Sequence, residues 1–259
     1  MVNNNFIDLS GKVAVVTGSS KGLGYAYAKA LAKAGAKLVI NSRHNQDLES
    51  IVQEIEKLGG RVLPIEADIS NELQVIEMFK ETFNHYGRVD ILINNAASGV
   101  LNINPEDISL NQWNNLIGTN ITGTFLCCRE AGKIMIKQKS GKIINISSIS
   151  AYVVNKDCIE VAYNVSKSGI IMLTKTLAVN WAKYNINVNA VVPGYYGTEI
   201  NMRWFEKNPN ICDEILSNIP LKKFGNIEEL SYFIVTLCSD VTNYMTGSTI
   251  IIDGGYTCW

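Results

Sequence analysis

The stretch Thr17-Gly18-Ser19-Ser20-Lys21-Gly22-Leu23-Gly24 restricts this chain more than any other. It follows Lys12-Val13-Ala14-Val15-Val16, a short β-branched apolar run that reads as a buried strand. It precedes Ala26, Ala28, Ala30, Leu31 and Ala32, which favour a helix. Strand, glycine-rich turn and helix in that order set the free N–H groups of a helix N-terminus against a phosphate. Glycine lets the backbone turn tightly and approach a pyrophosphate where a Cβ would collide. The spacing is G-x3-G-x-G rather than the commoner G-x-G-x-x-G, so the turn alone is also open to a ligand-free reading.

Downstream, apolar strand patterns alternate with helical ones. Strands are expected at 37–41, 61–66, 89–93, 142–146, 186–192 and 249–252. Helices are expected at 45–58, 71–86, 111–139, 162–184 and 227–239, with Asn71 as a cap and Gly87 as a stop. Residues 194–219, rich in Asn and aromatics, read as an irregular substrate loop, with a pair of short packed helices as the alternative. Nearly all-apolar strands separated by helices predict an α/β fold: one doubly wound, seven-stranded parallel sheet with helices on both faces. No linker or repeat divides residues 1–259, so a single domain is expected. Ligands of such a sheet lie at the carboxyl ends of its strands. There the sequence places glycines and small polar groups: 18–24, Ser42-Arg43, Asp68, 94–99, Ser147-Ser148 and 193–198.

Bulk properties remove other classes. A net charge of -1 without a basic run argues against a nucleic-acid surface. No apolar run reaches the roughly 20 residues of a membrane span, and residues 1–5 lack a signal-peptide pattern. Six cysteines, at 127, 128, 158, 212, 238 and 258, lack metal-type or paired spacing, so no metal site is expected. They read as reduced thiols of a cytoplasmic protein, with the Cys127–Cys128 pair filling core.

Tyr163 and Lys167 lie four apart on a helix and share a face. An ammonium beside a phenol favours its ionised form, a shift that a neutral-pH acid/base needs from a group titrating near pKa ~10. An ordinary surface pair would have the same spacing; Ser148, at the preceding strand end, adds a hydroxyl that could bond a substrate oxygen. Asn120 is a poor interior helix residue, and Gly118-Thr119 beside it suggests a local break, although a simple C-cap explains it nearly as well.

Taken together, these pieces resemble the short-chain dehydrogenase/reductase family over nearly the whole chain. They are Thr17-Gly18-x3-Gly22-x-Gly24, Asp68, Asn94-Asn95-Ala96, Asn120, Ser148, Tyr163-x3-Lys167, Pro193-Gly194-x3-Thr198 and Asp253-Gly254-Gly255. The resemblance implies a catalytic set of Asn120, Ser148, Tyr163 and Lys167. Tyr163 would give a proton to a carbonyl oxygen that Ser148 polarises. Lys167 would lower the tyrosine pKa and hold the nicotinamide ribose, and Asn120 would anchor a relay water. The implied cofactor site is Gly18, Ser20, Lys21, Gly22, Leu23, Gly24, Ser42, Arg43, Asp68, Ile69, Asn94, Ala96, Tyr163, Lys167, Pro193, Gly194, Tyr196 and Thr198. Within it Asp68 would meet adenine, Asn94 the adenosine ribose side and Thr198 the carboxamide. A homotetramer is likewise implied, in keeping with apolar positions on more than one face of the helices from Asn111 and Ala162.

Two departures from the family pattern stand out. Residues 94–101, with Ala97 where glycine is usual, look like a branch of NADPH-dependent enoyl-thioester reductases. That branch tends to separate its Tyr and Lys further than here. Ser148 and Tyr163 are fifteen positions apart, about two more than usual, leaving Ser150 as an alternative serine. The expected reaction is reduction of a small-molecule or acyl-thioester carbonyl, first a 3-oxoacyl thioester or related ketone, or the reverse oxidation. Enoyl reduction and a non-catalytic dinucleotide sensor are the alternatives. The acid that would bind an NAD ribose is replaced by Ser42, while Arg43 and Lys21 could grip a 2′-phosphate, so NADPH is the expected cofactor.

Overall fold

In the computed structural model, residues 7–99, 101, 103–155 and 160–259 are described. Alternation along the strands builds two cores from one sheet. Ala14 and Val16 of β1 (Val13–Val16) belong to one apolar cluster, and Val15 to another. Leu38 and Ile40 of β2 (Lys37–Ser42) repeat the split against Val39. Side chains of a strand point alternately to opposite faces, so a strand buried on both must be apolar throughout.

The remaining strands are β3 (Val62–Glu66), β4 (Ile91–Asn94), β5 (Gly141–Ile146), β6 (Ile186–Pro193) and β7 (Thr249–Ile252), in the all-parallel order β3-β2-β1-β4-β5-β6-β7. One face is covered by α1 (Gly22–Lys33), α2 (Glu49–Lys57) and α9 (Ile227–Cys238). The other is covered by α3 (Glu72–Tyr86), α5 (Thr124–Gln138) and α6 (Val161–Trp181). Cys127 and Cys128 are fully buried in that second core, as their position predicts, and Cys158 lies outside the described residues. The order of strands reverses at β1, whose neighbours are β2 and β4, so a crevice opens between the loops after β1 and β4.

Three expectations about elements change. The helix expected at 45–58 begins with a 3-10 turn, Asn45–Asp47, and becomes α-helical only at Glu49. The helix expected at 111–139 is three pieces: α4 (Leu110–Ile117), a π-helical segment Gly118–Gly123, and α5. Its widened turn holds Asn120 and lets Gly123 lie on Ile69, where a Cβ would come within 2.8 Å of that side chain. Residues 194–219 are not irregular. They carry α7 (Glu199–Lys207), capped by the Thr198 hydroxyl accepting from the Asn201 N–H, and α8 (Pro209–Asn218), with proline at its first position. Phe205, Ile215 and Ile219 give this pair its own small core, to which the Phe224 ring stacks at 4.7 Å from Phe205.

Candidate active site

At the β1/β4 crevice, the glycine turn is shaped by the loop after β4. Gly18 has φ +61°, and a Cβ there would stand 2.6 Å from the Ala96 Cα. A Cβ on Gly24 would stand 2.3 Å from both the Asn95 Nδ2 and the Gly18 oxygen. Only glycine fits at either place. Asn95 Nδ2 donates to the Gly18 carbonyl at 2.9 Å and the Thr17 carbonyl at 3.2 Å. The Thr17 hydroxyl accepts from the Asn95 and Ala96 N–H groups, both at 3.1 Å. Thr17 and Asn95 thus tie the two loops together, a role the sequence reading did not assign. Two adjacent asparagines at a strand end were the available signal. Ser20 and Leu23 lie within the same turn, and exposed Lys21 immediately precedes α1.

Asn94 does something different from its expected contact with ribose. Its side chain is buried between strands, donating to Asn145 Oδ1 at 2.8 Å and to Cys128 Sγ at 3.1 Å. Register explains this, since Asn94 pairs directly with Asn145 on β5. Asp68, beyond β3, accepts from the N–H and hydroxyl of Ser70, while Ile69 is buried against Gly123, leaving backbone as its route to a ligand.

At the end of β2, Arg43 is exposed and Ser42 is buried. The Ser42 hydroxyl donates to Asp47 Oδ2 at 3.3 Å. A carboxylate therefore stands at this corner after all, returned by the 3-10 turn instead of occupying the strand end, where the sequence reading looked for it.

Beyond β5, the Ser148 hydroxyl accepts from the Ser150 N–H at 3.1 Å and caps the 3-10 turn Ile149–Ala151. Ser148 is also the serine whose side chain hydrogen-bonds Tyr163 and pulls its pKa down. Burial opposes this more strongly, and with the negative charge of Glu160 the phenol is pushed up to about 12. Lys167 is 4% exposed. Its Nζ donates to the Ile146 carbonyl at 2.9 Å and lies 5.5 Å from the Tyr163 ring centre. Burial lowers that ammonium to about 8. The phenol is thus raised by desolvation rather than lowered by Lys167 as expected, which favours its protonated form at neutral pH. Asn120 links the neighbouring elements: its Oδ1 accepts from the Ser98 N–H at 2.8 Å, and its Nδ2 donates to the Ser166 hydroxyl at 3.0 Å. Ser166 in turn donates to the Tyr163 carbonyl at 2.7 Å, so Asn120 and Ser166 hold the α6 turn bearing the phenol.

The segment after β6 closes the crevice on a third side. Gly194 donates to the Ile252 carbonyl at 3.0 Å, directly after Pro193 at the end of β6. The Thr198 methyl would lie 4.0 Å from a Cβ on Gly22, bringing that segment to the glycine turn. The Tyr196 side chain points elsewhere. Its ring is buried in the core and its hydroxyl donates to the Ile252 carbonyl at 3.2 Å. Tyr152, Met202 and Trp204 are exposed, while Phe205 is core. The C-terminal segment adds Tyr256, which donates to Asn155 Oδ1 at 3.2 Å and packs against Tyr195.

The glycine cradle, the exposed Arg43 beside Ser42 and the hydroxyls beside Tyr163 suit a long polar dinucleotide with a reducible group at one end. Among the described residues no group of His, Cys, Asp and Glu is arranged to hold a metal ion, and no helix is long and apolar enough to cross a membrane.

Comparison with known proteins agrees with this geometry. A family model described as enoyl-(acyl carrier protein) reductase matches residues 18–257. Glucose 1-dehydrogenase 2 of Bacillus subtilis is 36% identical over 97% of each chain. A 3-oxoacyl-[acyl-carrier-protein] reductase of Synechocystis is 37% identical over 95% of this chain and 97% of its own. A gluconate 5-dehydrogenase of Burkholderia cenocepacia, solved with NADP and tartrate, superposes with a TM-score of 0.91 at 30% identity, over 97% of each chain.

Proposed function

Because the chain belongs to the short-chain dehydrogenase/reductase family, whose oxidoreductases use a nicotinamide cofactor, we propose that it transfers hydride between NADP(H) and a carbonyl or secondary alcohol. The substrate class is a 3-oxoacyl thioester or a related ketone. The observation that carries this reading is the convergence of Ser148, Tyr163 and Lys167 beside the β1/β4 crevice, where burial favours the protonated phenol.

In the reductive direction, Tyr163 donates its proton to the carbonyl oxygen while Ser148 hydrogen-bonds the same atom. The nicotinamide that the cradle would hold would, in its reduced form, supply the hydride for the carbonyl carbon. Lys167 holds positive charge near the phenolate that forms, so that charge is stabilised as it develops. Asn120 and Ser166 keep α6 in place through this change. The cradle of Gly18, Gly22 and Gly24 takes the pyrophosphate, and Lys21 and Arg43 take the 2′-phosphate. An NADP-bound relative of the same fold supports that choice of cofactor.

Oxidation of a polyhydroxylated substrate is a second reading, favoured by the glucose and gluconate dehydrogenases among the relatives. Cofactor absorbance, followed with ketones, 3-oxoacyl thioesters, enoyl thioesters and polyols, separates the readings. Turnover of enoyl thioesters alone would replace carbonyl reduction. Tight cofactor binding without turnover of any class would leave a sensor.

The protein is also proposed to act as a homo-oligomer. Val165, Met172 and Val179 recur at seven-residue spacing on α6 and are 49%, 62% and 81% exposed. Phe125 of α5 is exposed as well. Such a stripe is covered in most soluble proteins.

A further inference from the structure

At the amino-terminal edge of the sheet, opposite the crevice, the chain forms a cleft of about 700 Å³. It opens where β1, β4, β5 and β6 begin, and the segment between α9 and β7 forms one wall. Lys142, on β5, lies in its lining and is only 7% exposed. Its Nζ is buried and has no hydrogen-bonding partner among the described residues. An ammonium has three donors, and leaving all of them unmet away from water is costly.

The groups whose charge reaches this ammonium are Asp240, Cys238 and Lys12, and all three line the same cleft. Its charged end is therefore on the cleft side. Of these, the Cys238 thiol is pushed up to about 12 by burial and supplies no anion. Asp90 also lines the cleft, but its carboxylate is held by Arg88 through bonds of 2.7 and 2.6 Å and by the Val13 N–H at 2.8 Å. That leaves two cationic residues, Lys12 and Lys142, against the one carboxylate of Asp240 in the lining.

We propose that this cleft is a second ligand site, which binds the oxyanion group of a small metabolite, a phosphate or a carboxylate, between Lys142 and Lys12. The anion supplies the acceptors that Lys142 lacks, and the excess positive charge draws it in. Asn185, also in the lining, offers an amide to a neutral part of the same ligand. The site does not overlap the crevice: Lys142 lies near the start of β5, and Ser148 lies beyond its end.

The test uses the full-length enzyme saturated with cofactor, so that the phosphate positions of the crevice are already filled. Inorganic phosphate and acetate are titrated separately against sodium chloride at equal ionic strength, with thermal unfolding and calorimetry as readouts. A saturable rise in Tm of a few degrees with one or both anions is expected, and the anion that binds more tightly identifies the group. Lys142→Met should weaken that binding at least tenfold while keeping the cofactor-dependent rise in Tm, which shows that the fold and crevice survive. Lys12→Gln should weaken it by a smaller factor. Absence of any saturable effect, or unchanged binding in Lys142→Met, would overturn the proposal. Because the readouts are binding and not turnover, loss of this site and failure of the proposed reaction are distinguishable.

Discussion

Lys167 stands 5.5 Å from the centre of the Tyr163 ring, yet gives its hydrogen bond to the Ile146 carbonyl rather than to the phenol. The pair therefore shares a charged neighbourhood without sharing a proton. With the ammonium near 8 and the phenol near 12, a rise in pH removes the lysine charge first. We expect kcat/KM for reduction to fall as pH rises through about 8, while the phenol stays protonated. Lys167→Arg, which keeps its charge, should move that limb to higher pH; a limb in the same place would assign it to another group.

Stability should follow the opposite course. The folded pKa of Lys167 is lower than its ordinary 10.5, so between about 8 and 10.5 the unfolded chain binds the extra proton. This contribution to stability therefore rises with pH across that window. Lys167→Met should flatten the rise in Tm against pH. An identical profile in the variant would show that burial costs this lysine nothing.

Tyr163→Phe removes one hydroxyl and keeps the ring, so packing and cofactor binding should persist. Loss of the proton donor should lower kcat by about 10²–10⁴-fold or more. Steady-state turnover, with cofactor fluorescence for binding, measures the split. A variant retaining more than half the wild-type rate would sink the assignment.

Two glycines with similar backbones test the cradle. Gly18 and Gly59 both have positive φ, but a Cβ on Gly59 meets nothing within 4 Å, whereas one on Gly18 meets the Ala96 backbone. Gly59→Ala should cost only the conformational strain, on the order of 1 kcal/mol. Gly18→Ala should lower Tm further and abolish cofactor binding. Equal losses would mean that φ alone, and not the contact between loops, requires the glycine.

The strands, their parallel arrangement and the glycine turn were legible because burial on both faces leaves an apolar run with few alternatives. Tyr163 and Lys167 were legible because helical spacing is local. Asn94 was not, since its fate depends on a direct cross-strand partner, Asn145, that lies far away in sequence. Asp47 escaped for the same kind of reason: a 3-10 turn folds it back onto Ser42. The helices α7 and α8 carry local signals, the Thr198 cap and Pro209 at a first turn, but the asparagines of 194–219 leave a loop equally open. The rise in the Tyr163 pKa depends on burial, which spacing alone does not report.

Oligomer formation is expected to depend on the α6 stripe. Met172→Glu places a charge in the middle of the exposed Val165, Met172 and Val179 series and should release smaller species without unfolding the chain, because the site already faces solvent in one subunit. Light scattering at micromolar concentration reads the mass. A wild-type protein that is already monomeric would reject the proposal.

Cofactor choice turns on three residues at one corner. Arg43 is exposed and free of any strand pairing, and Lys21 lies in the glycine turn, so both suit a 2′-phosphate. Asp47, bonded to the Ser42 hydroxyl, works against them by repelling that phosphate. Charged hydrogen bonds contribute about 1.5–3 kcal/mol each, so a bond from Arg43 to that phosphate would by itself give a preference of tenfold or more. Arg43→Ala should raise the KM for NADPH at least tenfold and leave that for NADH nearly unchanged. Asp47→Asn keeps a hydrogen-bond acceptor for Ser42 but removes the charge, so it should lower the KM for NADPH and widen the preference. Steady-state kinetics with both cofactors separate the two contributions. Equal effects of Arg43→Ala on both cofactors, or a wild-type preference for NADH, would mean that Asp47 rather than Arg43 governs this corner.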